Sequence, residues 1–258
     1  MTYAIGLLIP FIGTAFGAAC VFFMKNDIKD WVQRALLGFA SGVMIAASVW
    51  SLLIPSIEMS DDMGKLSFLP AVIGFLLGIA FLFLLDKTIP HLHLDKKEHE
   101  GPETKLGNTA MLMLAVTLHN IPEGMAVGVV FAGLINQSGE ISTAAAYALA
   151  IGIAIQNFPE GAIISLPFKS EGNSKKKSFL YGMISGIVEP VAAGITLAVS
   201  GIVTAALPYF LSFAAGAMIY VVIEELLPEA SADNKTDICT LGFAAGFMAM
   251  MVLDVALG

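Results

Sequence analysis

Eight stretches of this chain are apolar over about the 20 residues that a helix needs to cross the hydrocarbon core of a bilayer. They cover approximately residues 3–24, 35–57, 67–86, 107–134, 142–167, 178–202, 205–228 and 238–257, joined by short polar turns and one longer loop at 87–106. Backbone N–H and C=O groups find no water at that depth, so a spanning segment of this length must be a helix. The prediction is an all-α polytopic membrane protein with eight transmembrane helices, forming a single transmembrane transporter domain over 1–258. Composition supports it: 57% of residues are hydrophobic and 13% charged, with a mean hydropathy of +0.83, outside the range of soluble domains. Residues 1–24 lack a basic leader and a small-residue cleavage site, so they read as a retained first span. The two cysteines, Cys20 and Cys239, fall in or beside apolar spans and read as small hydrophobic fillers rather than a disulfide or thiolate cluster.

The positive charges orient the bundle. Twelve of the thirteen Lys and Arg residues fall in odd-numbered turns, leaving Lys65 alone in the even-numbered ones. Cytoplasmic loops carry the Lys/Arg excess, so both termini are expected on the non-cytoplasmic side of the cell membrane. The net charge of −8 excludes nucleic acid as a partner and suits the concentration of cations.

Two of the spans carry polar residues where such groups are expensive. His119-Asn120-Ile121-Pro122-Glu123-Gly124 lies within the fourth and Gln156-Asn157-Phe158-Pro159-Glu160-Gly161 within the fifth. A glutamate at the bilayer centre costs on the order of 3 kcal/mol on insertion scales. Residues three and four apart share a helix face, so His119, Asn120 and Glu123 address one volume, as do Gln156, Asn157 and Glu160. Two such faces opposed offer carboxylate, amide and imidazole ligands to a divalent metal. Glu189 is the only carboxylate of the sixth span and reads either as a third acid ligand or as half of a helix–helix hydrogen bond. One divalent ion nearly neutralises three carboxylates and two overshoot them by one charge, so a two-metal site with Glu123 and Glu160 bridging is plausible on charge. The donor set suits Zn²⁺, Fe²⁺, Mn²⁺ or Cd²⁺ and disfavours Cu(I).

Proline follows the polar residues in both motifs and leaves the carbonyls of Leu118 and Ile155 without their usual donor. Helices broken at mid-membrane are therefore expected there, as in transporter binding sites. The two motifs sit on consecutive, oppositely directed spans, which predicts inverted-repeat character. A weaker pair, Pro55 with Glu58 in the second span and Pro228 with Glu224, Glu225 and Glu229 in the seventh, points the same way. Glu58, Asp61 and Asp62 outside and Glu224, Glu225 and Glu229 inside are either the mouths of a path or solvated span ends. His91, His93 and His99, with Asp95, Glu98 and Glu100, make the third loop either a metal collector or a solvated linker.

The paired motif within eight spans, with a histidine-bearing loop before the fourth, resembles the ZIP family of zinc and iron transporters. Gln156-Asn157, where many members have histidine first, resembles the prokaryotic GufA-type branch. The resemblance covers essentially the whole chain and implies import of divalent metal, zinc foremost, through a binuclear site. It implies that His119, Glu123, Gln156 and Glu160 hold one ion, and that Asn120, Asn157 and Glu189 hold the other while sharing both glutamates. The implied partners are the metal ions as transported substrate, the lipid bilayer and, compatibly with the sequence, a second copy as a homodimer. Two other classes stay open at this stage: a membrane-embedded metalloenzyme and a proton-coupled organic-solute transporter. Against the first, there is one membrane histidine and no His-Glu-x-x-His; against the second, no Lys or Arg lies in any span core. An enzyme is therefore not expected.

Overall fold

The structure is a computed structural model that describes residues 2–24, 28–89, 107–136, 141–200, 204–232 and 237–257. Among these, no strand occurs and eight helices are long and apolar enough to cross a membrane. They are α1 (Tyr3–Phe22), α2 (Asp30–Glu58), α3 (Phe68–Thr88), α4 (Ala110–Ile135), α5 (Thr143–Ser170), α6 (Lys175–Val199), α7 (Leu207–Ser231) and α8 (Ile238–Ala256). Burial ranks them: 78% of the apolar window is buried in α4 and in α5, against 28% in α3 and 11% in α8, so the two motif-bearing helices form the centre. Side chains such as Phe16, Leu84, Leu241 and Val255 are exposed on the outside, where lipid tails would meet them.

The most extensive pairings are α1 with α5, α6 with α4, α2 with α8 and α7 with α3. In addition α2 reaches α5 and α7 reaches α4. Exchanging α1 for α6, α2 for α7, α3 for α8 and α4 for α5 maps this set of contacts onto itself, which is the inverted repeat in structural form. Small residues bring the backbones together, as membrane packing requires without a hydrophobic drive between helices. A Cβ on Gly17 would collide with the Phe158 carbonyl, one on Gly128 with that of Ala193, one on Gly246 with that of Phe39 and one on Gly216 with that of Phe75.

The interruptions fall elsewhere than the prolines of the motifs suggested. Helices α4 and α5 run on through Pro122 and Pro159, where neighbouring helices hold the residues in helical geometry despite the lost hydrogen bond. The break lies in α6 instead: one helix ends at Gly186, Ile187 forms a turn and a second helix begins at Val188. Glu189 and Pro190 occupy the first turn of that second helix, where a proline forfeits no intrahelical bond. Helices α2 and α7 each contain a π-turn immediately before their proline, at Ser48–Leu53 and Val222–Leu226. The Pro55 and Pro228 segments thus match in backbone as well as in sequence.

Candidate metal centre

All seven expected ligands are buried between α4, α5 and α6: Asn120, Glu123, Gln156, Asn157 and Glu189 are fully covered, and His119 and Glu160 are at most 4% exposed. The spacing of each motif accounts for this, since positions i, i+1 and i+4 project to one side of a helix and the other side packs on lipid or on a neighbour. The closing glycines set the depth of contact. A Cβ on Gly124 would collide with the Glu189 carbonyl, and one on Gly161 with the Thr14 carbonyl, so α6 and α1 press directly on the motifs.

Hydrogen bonds fix part of each side chain. Gln156 Nε2 donates to Glu123 Oε1 at 2.6 Å and joins the two motifs. Thr14 Oγ1 donates to Glu189 Oε1 at 2.7 Å, and Asn120 Nδ2 to the Ser185 carbonyl just ahead of the α6 break at 3.1 Å. His119 Nδ1 lies 2.7 Å from Glu225 Oε2, with the ring N–H donating to a carboxylate from the π-turn of α7. Glu123 interacts electrostatically with Glu160 and Glu189, and Glu160 with His119 and Glu225, so the acids share one field.

What is left over defines the chemistry. Seven buried oxygens have no hydrogen-bond partner: Asn120 Oδ1, Glu123 Oε2, Gln156 Oε1, Asn157 Oδ1, Glu160 Oε1 and Oε2, and Glu189 Oε2. Each such acceptor ordinarily costs about 1–3 kcal/mol when buried alone. Among the described residues, no three His, Cys, Asp or Glu side chains are close enough to hold a metal as they stand. Gln156 Nε2 occupies one oxygen of Glu123 and Thr14 Oγ1 one of Glu189, so part of the acid set is turned to other partners. An ion would therefore draw carboxylates and amides together from these positions.

Toward the π-turn of α7 a cavity of about 20 Å³ is lined by His119, Glu160, Glu225 and Glu229 among others, which is room for one or two waters. At the opposite end a cavity of about 340 Å³ is lined by Ser51, Glu58, Ser142 and Asp254, with Ser51 Oγ donating to Asp254 Oδ1 at 2.7 Å. Of the span-end acids read from the sequence, Glu225 is buried within the centre, whereas Glu224 is exposed beside it. Asp61 and Asp62 are exposed on a short 3₁₀ helix, Asp61–Leu66. Sequence reasoning missed Thr14 and Asp254. His91, His93 and His99 lie outside the described residues.

A membrane bundle that turns its acids inward around a shared core, away from lipid, is of the ion-transporting class. The profile of the ZIP zinc transporter family matches residues 95–254. The chain is 36% identical to zinc transporter ZIP11 of Homo sapiens, with 95% of this chain and 94% of that protein covered. It is 36% identical to zinc transporter ZIPB of Bordetella bronchiseptica, covering 96% and 79%, and 35% identical to zinc transporter GufA of Myxococcus xanthus, covering 95% and 96%. The chain belongs to the ZIP family, and is a transporter rather than an enzyme.

Proposed function

We propose that this protein imports divalent metal ions across the cell membrane into the cytoplasm through a binuclear mid-membrane site, with Zn²⁺ the principal substrate and Cd²⁺, Fe²⁺ and Mn²⁺ further ones. The observation that carries the reading is the set of seven unpartnered buried oxygens on Asn120, Glu123, Gln156, Asn157, Glu160 and Glu189. Against these seven acceptors the cluster leaves one donor unpartnered, Asn157 Nδ2, and the excess of oxygens suits a cation. His119, Glu123, Gln156 and Glu160 hold one ion; Asn120, Asn157 and Glu189 hold the second, with both glutamates shared. The names of the relatives, all zinc transporters, support zinc.

The ion enters from the cavity lined by Glu58 and Asp254 and leaves past Glu225 and Glu229, which supply acids at both ends of the path. Inward direction is what membership of the ZIP family implies; the distribution of Lys and Arg supports only the orientation, with the termini outside. Glu225 accepts from the Nδ1–H of His119, which leaves Nε2 to hold the metal and fixes the ring toward the site. The test is uptake of Zn²⁺, Cd²⁺, Mn²⁺ and Fe²⁺ into liposomes holding the purified protein, beside a Glu160→Gln variant. Saturable uptake that the substitution removes is the expected result. No uptake of any metal by folded protein, or equal uptake by the variant, would overturn the reading.

A further inference from the structure

We propose that Thr14 in α1 is a positioning residue for the metal centre: its hydroxyl holds Glu189 so that one carboxylate oxygen is occupied and a single oxygen is presented to the ion. The inference rests on the reading of Glu189 as a ligand. Three observations converge on it. Thr14 is fully buried and its Oγ1 donates to Glu189 Oε1 at 2.7 Å, while Glu189 Oε2 has no partner. Hydroxyls in membrane helices commonly bond the carbonyl four residues back, and Ser41, Ser48 and Thr117 do so here with Leu37, Met44 and Met113. Thr14 reaches across to α6 instead.

The surrounding backbone is shaped to keep it there. An added Cβ on Gly186, the last residue before the α6 break, would meet Thr14 Cβ and Cγ2 at 2.8 Å and Glu189 Oε1 at 2.9 Å. Only a residue without a side chain at 186 leaves room for the pair. Gly161 admits the Thr14 backbone in the same way from the side of α5.

The inverted repeat explains why a threonine should stand at this point. Gly161 of the fifth-span motif faces Thr14, and Gly124 of the fourth-span motif faces Glu189. With α1 exchanging for α6 and α4 for α5, Thr14 and Glu189 are counterparts, and their hydrogen bond joins the two repeats. One repeat supplies the ligand; the other supplies the donor that aims it.

A carboxylate with one oxygen tied up binds a metal through the other. That suits Zn²⁺, which takes few ligands at about 2.0–2.2 Å, and disfavours Mn²⁺, which prefers an octahedral shell of oxygens. Partners that orient a ligand typically change metal affinity by about 10–100-fold when removed.

The experiment compares Thr14→Val and Thr14→Ser in proteoliposomes, with Glu189→Gln alongside. Thr14→Val is expected to raise the KM for Zn²⁺ about tenfold, to leave the maximal rate within about twofold, and to lower the preference for Zn²⁺ over Mn²⁺. Thr14→Ser restores both. If Thr14→Val does not give folded protein, Thr14→Ser against Thr14→Ala isolates the hydroxyl, since both lack the methyl group. Equilibrium Zn²⁺ titration of the double variant with Glu189→Gln adds a second arm: Thr14→Val should then weaken binding no further. Unchanged KM and Zn²⁺/Mn²⁺ preference in the hydroxyl-free variant, with uptake lost in Glu189→Gln, would overturn the role of Thr14 and leave the site standing. An equal loss on the Glu189→Gln background would reduce Thr14 to packing. Wild-type transport by Glu189→Gln would remove the ligand reading itself.

Discussion

Replacing Glu123 by glutamine exchanges one oxygen for nitrogen and removes one charge, and the structure gives this change two opposite consequences. Glu123 is fully buried and shares a field with Glu160 and Glu189. Two like unit charges 4 Å apart repel by about 4 kcal/mol at an effective dielectric near 20, and by about 2 kcal/mol at twice that distance. With all three acids ionised, relief of one such repulsion at the larger distance stabilises the metal-free protein by at most about 2 kcal/mol, or roughly 4–8 °C in melting temperature for a chain of this size. The new amide can still accept from Gln156 Nε2, so the contact between the motifs survives. Metal binding responds in the other direction. Removing one partner of a desolvated charge pair costs about 2–5 kcal/mol, which is roughly 30-fold to several thousand-fold in affinity. Thermal unfolding of the detergent-solubilised protein, with and without Zn²⁺ and at an alkaline pH that ionises the acids, reads both effects at once. The metal-free Glu123→Gln protein should melt above wild type, while the rise that Zn²⁺ gives wild type should vanish. A variant that melts lower without metal yet keeps its Zn²⁺-dependent rise would refute both halves of the reasoning.

Gly161→Ala should cost about 1–3 kcal/mol, because its Cβ meets the Thr14 carbonyl with no room to relax. Gly194→Ala, where a Cβ meets nothing within 4 Å, should be neutral or stabilising by up to about 1 kcal/mol; paired melting curves check the contrast. Tyr220→Phe removes the bond from its hydroxyl to Asp86 Oδ2, 3.2 Å long, and should lower stability by about 1 kcal/mol without changing the KM for Zn²⁺. Glu225→Gln weakens the hydrogen bond that orients His119, so the KM for Zn²⁺ should rise about tenfold; initial rates over a range of Zn²⁺ concentrations check it.

The candidate site was largely legible because its residues are costly where they stand. His119, Glu123 and Glu160 announce themselves by polarity in apolar spans, and Glu189 by being the lone acid of its own. Thr14 was not legible: in an apolar helix a threonine ordinarily satisfies its hydroxyl locally, and only the fold shows it reaching α6. Glu224 and Glu225 were indistinguishable in sequence, since the π-turn at Val222–Leu226 shifts the register and decides which of the two faces inward. The prolines misled for a related reason. A proline marks a helix interruption or a helix first turn equally well, and the motif prolines are interior, whereas Pro190 belongs to a first turn. Packing partners were out of reach altogether, because glycine spacing names a close contact without naming the helix across it.

The pairing of α2 with α8 and of α1 with α5 also dictates an order of assembly. None of the four most extensive pairings joins helices adjacent in the chain, so a nascent chain inserts spans whose mates have not yet been made. The second helix waits longest: Gly42, whose Cβ would strike the Phe243 carbonyl, has no partner surface until the last span arrives. Loss of that last span during synthesis would therefore leave its gap at the early end of the chain, beside the second helix, rather than at the seventh that immediately precedes it.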